Sequence, residues 1–171
     1  DGAEVRLAMK RIEHEFGPIE ILVNAVGAAK HYPPDHNDHC RWRTGIEDKY
    51  LPLVHALDAV VPVMGGRGSG VVVNIAGAGG KQSNPMHMPG GAANAAIMLV
   101  TSAMAKAWGP KGVRLNIVNP GSIETERLTS ALEVKARTLG LSLDEVRDQA
   151  IANIPLRRYG RSEEIAWLCA F

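Results

Sequence analysis

Cysteine is nearly missing. Cys40 and Cys169 are the only two in 171 residues. Neither has a CxxC partner, so the chain offers no disulfide framework, and the pattern suits a reducing cytoplasm. Aromatic residues make up 5%, too few for a surface that stacks bases. An excess of one charge is also missing. With 19 Lys and Arg against 18 Asp and Glu, the formal net charge is +1, which argues against nucleic acid or an anionic membrane as partner. No apolar run approaches the roughly 20 residues of a membrane span. The opening DGAEVRLAMKRIEHEFG lacks the layout of a secretion signal. No internal repeat, low-complexity tract or linker divides the chain, so residues 1–171 read as one domain.

What is present is an alternation of helical and extended patterns. Val5, Leu7, Ala8, Ile12 and Phe16 recur at helical spacing over 2–16, and Gly17-Pro18 stops that helix. Three short apolar blocks follow at intervals: Ile19 to Val23, Val71 to Ile75 and Val113 to Val118. Each is continuous rather than alternating, as in strands buried on both faces. Helices are expected over 42–64, where Pro52 and Pro62 argue against regularity, over 90–108, over 127–151, and from Ser162 to the end. Residues 28–40 and 76–89 are expected to be loops. The run Gly65-Gly66-Arg67-Gly68-Ser69-Gly70 precedes a strand and lacks a P-loop lysine, so it reads as a turn. Helix–strand alternation of this kind predicts an α/β fold with a parallel sheet.

Four segments carry a resemblance. These are FGPIEILVNAVG (16–27), GVVVNIAGAGG (70–80), GVRLNIVNPGSIETERL (112–128) and IPLRRYGRSEEIAWLCAF (154–171). In this order and spacing they resemble the short-chain dehydrogenase/reductase family of NAD(P)-dependent oxidoreductases, over nearly the whole chain. The resemblance implies a Rossmann-type, doubly wound parallel sheet in three α/β/α layers. It also implies a Gly-rich turn and further βα units before residue 1, and a closing strand after Phe171. The 171 residues contain neither, so a single incomplete domain, its middle and C-terminal part, is expected.

The family's chemistry uses a tyrosine as acid/base, a lysine one turn later that lowers its pKa, a serine on the reacting oxygen, and an asparagine on the preceding helix. Here the serine position is Gly77, the tyrosine position Gly90, the lysine position Asn94 and the asparagine position Lys49. Serine and tyrosine are gone. Lys49 and Asn94 resemble the exchange seen in polyketide-type ketoreductases of the family, so an ammonium and an amide are expected to face the cleft. His87, three residues before Gly90, is the expected substitute acid/base. Tyr50, Lys81 and Ser83 are weaker substitutes. Asn24, Gly27, Pro120, Gly121, Ile123 and Thr125 match the positions that contact the cofactor, NAD or NADP. HYPPDHNDHC (31–40) contains zinc-ligand residue types but no second ligand cluster, so a solvated loop without metal is expected.

The resemblance implies an oxidoreductase acting on an alcohol or carbonyl substrate in the cytoplasm. The alternative is a family member without catalysis, serving as a cofactor-binding sensor or assembly subunit. A homo-oligomer, dimer or tetramer, is expected through helices 42–64 and 90–108, where Gly91, Ala92, Ala95, Ala96 and Ala103 permit close approach.

Overall fold

The three apolar blocks pair as one parallel sheet in the computed structural model, which describes residues 1–27 and 29–171. Strands β1 (Ile21–Asn24), β2 (Gly70–Ile75) and β3 (Val113–Val118) lie in the order β1-β2-β3. The register sets Asn24 opposite Asn74 and Ile75 opposite Val118, so all three strands end along one edge. Consecutive parallel strands require helical crossovers. These are α2 (His39–Arg67) and α3 (Met88–Trp108), with α1 (Gly2–Phe16) leading into β1. This is the expected parallel α/β arrangement.

One side of the sheet packs against these helices. Leu53, Leu57, Val60, Val61 and Met64 of α2 form the core with Val72, Val113 and Leu115 of the strands and Ile97 of α3. Two buried asparagines fasten strand ends to helices. Asn24 Nδ2 donates to the Leu53 carbonyl at 3.1 Å, and Asn74 Nδ2 donates to Thr101 Oγ1 at 2.8 Å. On the opposite face Ile21, Val23, Arg114 and Asn116 are exposed.

Several expectations need correction. Helix α2 runs unbroken through Pro52 and Pro62. Each proline removes one helical donor, and the fully buried stripe from Leu53 to Met64 offsets that loss. Helix α1 has the expected extent, but of its apolar pattern only Val5 turns inward, with Met9 and Glu13, while Leu7, Ala8, Ile12 and Phe16 are exposed. Glu13 there accepts from Arg67 at 2.7 Å and from the Ile19 N–H at 3.1 Å. The charged stretch 127–151 is two helices, α4 (Glu126–Leu139) and α5 (Leu143–Ala152). Gly140 at φ 66° ends the first, and a Ser142/Glu145 capping box opens the second. They share a small core of Leu132, Ala136, Val146 and Tyr159. A last helix, α6 (Ser162–Ala170), closes the order.

The membrane expectation also needs revision. The segment Pro85–Lys111 is long and apolar enough, by length and composition alone, to cross a bilayer. Here α3 presents Pro89, Gly90, Ala93, Asn94, Ile97 and Thr101 to the interior, packed on α2 and β3. Gly45 of α2 faces Pro89, and Gly65 faces the Trp108 ring, so the two helices meet closely at both ends.

Candidate active site

Ligands of open parallel sheets bind beyond the carboxyl ends of the strands. In this chain that edge gathers Asn24–Gly27, Ile75–Gly80 and the segment after Val118. Their mutual geometry is fixed by backbone bonds: the Ala76 N–H donates to Val118 O at 3.0 Å and the Ala78 N–H to Pro120 O at 2.8 Å.

Lys49 lies on the buried stripe of α2, one turn before Leu53, and is only 4% exposed. Its Nζ donates to the Ala76 carbonyl at 3.4 Å. A Cβ built on Gly27, which has φ 93°, would stand 2.7 Å from Lys49 Cα. Glycine therefore both permits the turn and admits the lysine backbone. Burial, reinforced by the nearby Arg127 charge, lowers the Lys49 pKa to about 8.

Asn94 lies on the inner stripe of α3, also 4% exposed. Its Nδ2 is 3.0 Å from where a Cβ at Gly77 would be, and its Oδ1 is buried without a hydrogen-bond partner among the described residues. Lys49 and Asn94 thus reach consecutive residues at the end of β2. No hydrogen bond joins them among the described residues.

Gly90 explains His87. A Cβ at Gly90 would overlap Cε1 and Nε2 of the His87 ring and stand 2.8 Å from the Ala29 Cβ. The imidazole therefore occupies the start of the volume that a side chain at position 90 would fill. His87 is buried, and its Nδ1 has no hydrogen-bond partner among the described residues. Its Cδ2 and Asn94 Nδ2 are each 3.6 Å from the Cβ position of Gly79, so the two side chains approach one point. His31 stacks on His87 with centroids 4.2 Å apart and planes 16° apart.

The electrostatics are one-sided. Burial lowers the His87 pKa against an opposing pull from the Lys30 backbone, with Arg127 and Lys49 adding to the fall. His87 also precedes the first turn of α3, whose positive end disfavours imidazolium. Burial, then the charges of His87 and Arg127, takes His31 down to about 4. Arg127, at the start of α4, donates from Nη2 to the Ala29 carbonyl at 3.2 Å. Sequence reasoning missed Arg127 and placed His31 in a solvated loop. Arg127 stood inside the segment resembling the nicotinamide contact, which is the signal that could have found it.

The remaining sequence-predicted residues fall as follows. Asn24 is engaged by the Leu53 carbonyl. Gly121 is exposed, with open space where a Cβ would be. Glu124 N–H donates to Gly160 O and Gly160 N–H to Ser122 O, so the N–H of Ile123 between them faces the other way. Thr125 caps α4, accepting from the Leu128 N–H. Tyr50 packs against the main core, and Lys81 and Ser83 are exposed. In 31–40, Asp38 instead caps α2 and pairs with Arg41. Among the described residues no three His, Cys, Asp or Glu side chains converge as a metal site.

A family model described as enoyl-(acyl carrier protein) reductase matches residues 1–171. The chain is 28% identical over 170 residues to the 3-oxoacyl-acyl-carrier-protein reductase FabG of Staphylococcus epidermidis, covering 99% of this chain and 65% of that protein. It is 27% identical over 171 residues to the acetoacetyl-CoA reductase of Cupriavidus necator, covering 100% and 65%. The chain thus spans a little under two thirds of the length of these relatives. The crystal structure of NAD+-bound xylitol dehydrogenase superposes with a TM-score of 0.94 at 25% identity, covering 100% of this chain and 68% of that one. With the motifs of 16–27, 70–80 and 112–128 set on one sheet edge and that of 154–171 bridged to the last of them, the chain belongs to the short-chain dehydrogenase/reductase family.

Proposed function

We propose that this chain forms the substrate and nicotinamide side of an NAD- or NADP-dependent oxidoreductase that interconverts an alcohol and a carbonyl. The observation that carries this reading is the His87 ring in the volume of the missing residue-90 side chain, with Nδ1 unpaired among the described residues. Reductases and dehydrogenases among its relatives support the reaction class. They do not favour the alternative of a member without catalysis.

The strand-edge backbone fits a nicotinamide. Pro120, Gly121 and Ile123 present an open glycine and an N–H directed away from Gly160, and Thr125 stands at the head of α4. Asn24 and Gly27 hold the neighbouring strand end. When bound, NAD or NADP takes or supplies the hydride; the side chains of the cleft handle the proton. In the oxidative direction neutral His87 accepts the hydroxyl proton, and its lowered pKa keeps it in that form near neutrality. In the reductive direction the same His87 returns that proton to the carbonyl oxygen, and the Lys49 ammonium, its pKa lowered to about 8, stabilises the negative charge that develops there. The Asn94 amide hydrogen-bonds the reacting oxygen.

A cytoplasmic setting accords with Cys40 and Cys169 both being free. A homo-oligomer through α2 and α3 would cover Leu51, Val63 and Leu99, which are exposed on those helices. The test is a spectrophotometric assay of the protein with NADH and NADPH against a panel of ketones, oxo acids and oxo esters. Cofactor binding and a carbonyl-dependent loss of nicotinamide absorbance are expected. Binding of neither nucleotide, or binding without turnover of any carbonyl, would overturn the reading.

A further inference from the structure

Four groups that carry or can take positive charge crowd this cleft: Lys49, Arg127, His31 and His87. Arg127 is held on the Ala29 carbonyl, and Ala29 abuts the same point beside Gly90 as the His87 ring. His31 lies on His87. The Lys49 ammonium donates, among the described residues, only to the Ala76 carbonyl, at 3.4 Å. Among the described residues none of the four pairs with a carboxylate. The ion pairs Asp38–Arg41, Glu47–Arg43, Glu13–Arg67 and Glu164–Arg158 all lie elsewhere. Asp48, next to Lys49, is exposed and lines a small recess with Ala29, Lys30 and Arg41, without pairing to any of the four.

His31 and His87 are neutral near pH 7, so the cations here are Lys49, which is buried, and Arg127, which is exposed at the mouth of the cleft. Burying the first without a counter-charge is costly, and the second adds to that cost. Burial lowers the pKa values of Lys49, His31, His87 and Arg127, and neighbouring positive charge adds to the fall for the first three. A guanidinium with one backbone partner retains free donors in a planar fork that matches a carboxylate.

We propose that the substrate is an oxo acid or hydroxy acid, its carboxylate held by Arg127 and its reacting oxygen by His87. This rests on the oxidoreductase reading and specifies its substrate class. Lys49 adds attraction for the anion, and the His31 ring fixes the orientation of His87 by stacking. Neutral ketones and esters lack the group that would offset the buried charge.

The test uses the protein labelled with ¹³C-histidine, titrated with 2-oxobutanoate and 3-oxobutanoate and with the neutral methyl ester of each. At least one acid is expected to shift the His31 and His87 ring signals. It should bind about tenfold or more tightly than its ester, the effect expected of a hydrogen-bonded charge pair. R127M removes that preference and R127K retains part of it, with thermal melts confirming that both variants fold. Equal affinity for acid and ester in both pairs, or a preference intact in R127M, overturns the proposal. The same variants titrated with NADP+ distinguish a phosphate of the cofactor as the anion. Weaker NADP+ binding by R127M, with the acid preference unchanged, also overturns it. Turnover separates this proposal from the reading beneath it. Tight acid binding without turnover sustains the carboxylate site and refutes the oxidoreductase. Turnover of ester and acid alike does the reverse.

Discussion

Gly90 and His87 are a coupled pair. Glycine at a helix entrance usually weakens the helix relative to alanine, so G90A would ordinarily stabilise α3. Here the added methyl would overlap the imidazole, and overpacking of this kind costs about 1–3 kcal/mol. We expect G90A to lower stability, H87A to leave a void, and the double variant to recover more than the sum of the two. Urea unfolding of all four proteins measures that coupling. Additive effects would show that the ring is free to move aside.

Lys49 contributes a pH dependence whose sign follows from its pKa. Its ordinary value of 10.5 falls to about 8 in the folded chain. Between these values the unfolded chain holds the proton and the folded chain does not, so this group makes stability rise with pH across that window. Below pH 8 both forms are protonated and the cost of burying the ammonium is present in full. K49M is therefore expected to be the more stable protein at pH 7, by about 1–3 kcal/mol. That advantage should shrink as pH approaches 10.5. A constant difference between pH 7 and 10.5 in chemical denaturation would contradict the burial of a charged lysine.

At the scale of elements, the α2–α3 packing sets the cleft because Lys49 and Asn94 lie on the facing stripes of these helices. Gly65 abuts Trp108, and a Cβ added there would stand 2.5 Å from Cε3 of the ring. G65A is expected to cost about 1–3 kcal/mol through this contact. G66A, where a Cβ meets open space, should be neutral or slightly stabilising. A comparison of their melting temperatures checks this, and equal shifts would contradict it.

Much of this level was legible in sequence. Val113–Val118 is a strand with its expected bounds and Gly2–Phe16 a helix with its expected bounds. Continuous apolar blocks and Gly-Pro stops are local signals. Tertiary effects misled elsewhere. Buried packing carried α2 through two prolines, and the inward side of α1 was decided by α2 rather than by the hydrophobicity of Leu7 and Phe16. The break at Gly140 was legible, since Gly140, Ser142 and Glu145 carry a stop and a capping box, but it was hidden within a uniformly charged stretch. At the site, Lys49 and Asn94 were readable from their alignment with a family pattern. His31 and Arg127 were not: one comes from an irregular loop and the other from the head of a helix 96 positions later. Only the closure of the fold brings them together.

The whole molecule combines a retained sheet edge with a rebuilt helix entrance. The family fold is preserved around Gly77 and Gly90, and the proposed reading gives the acid/base function to His87, whose ring reaches the same volume from three residues upstream. The most direct test is chemical rescue. With His87 as the acid/base, H87A loses about 10²- to 10⁴-fold in kcat while its affinity for the nicotinamide cofactor stays the same, and added free imidazole restores part of the lost turnover in a saturable manner. Wild-type turnover by H87A, or a loss that imidazole leaves untouched in a folded, cofactor-binding H87A protein, would contradict the assignment of His87 as the acid/base.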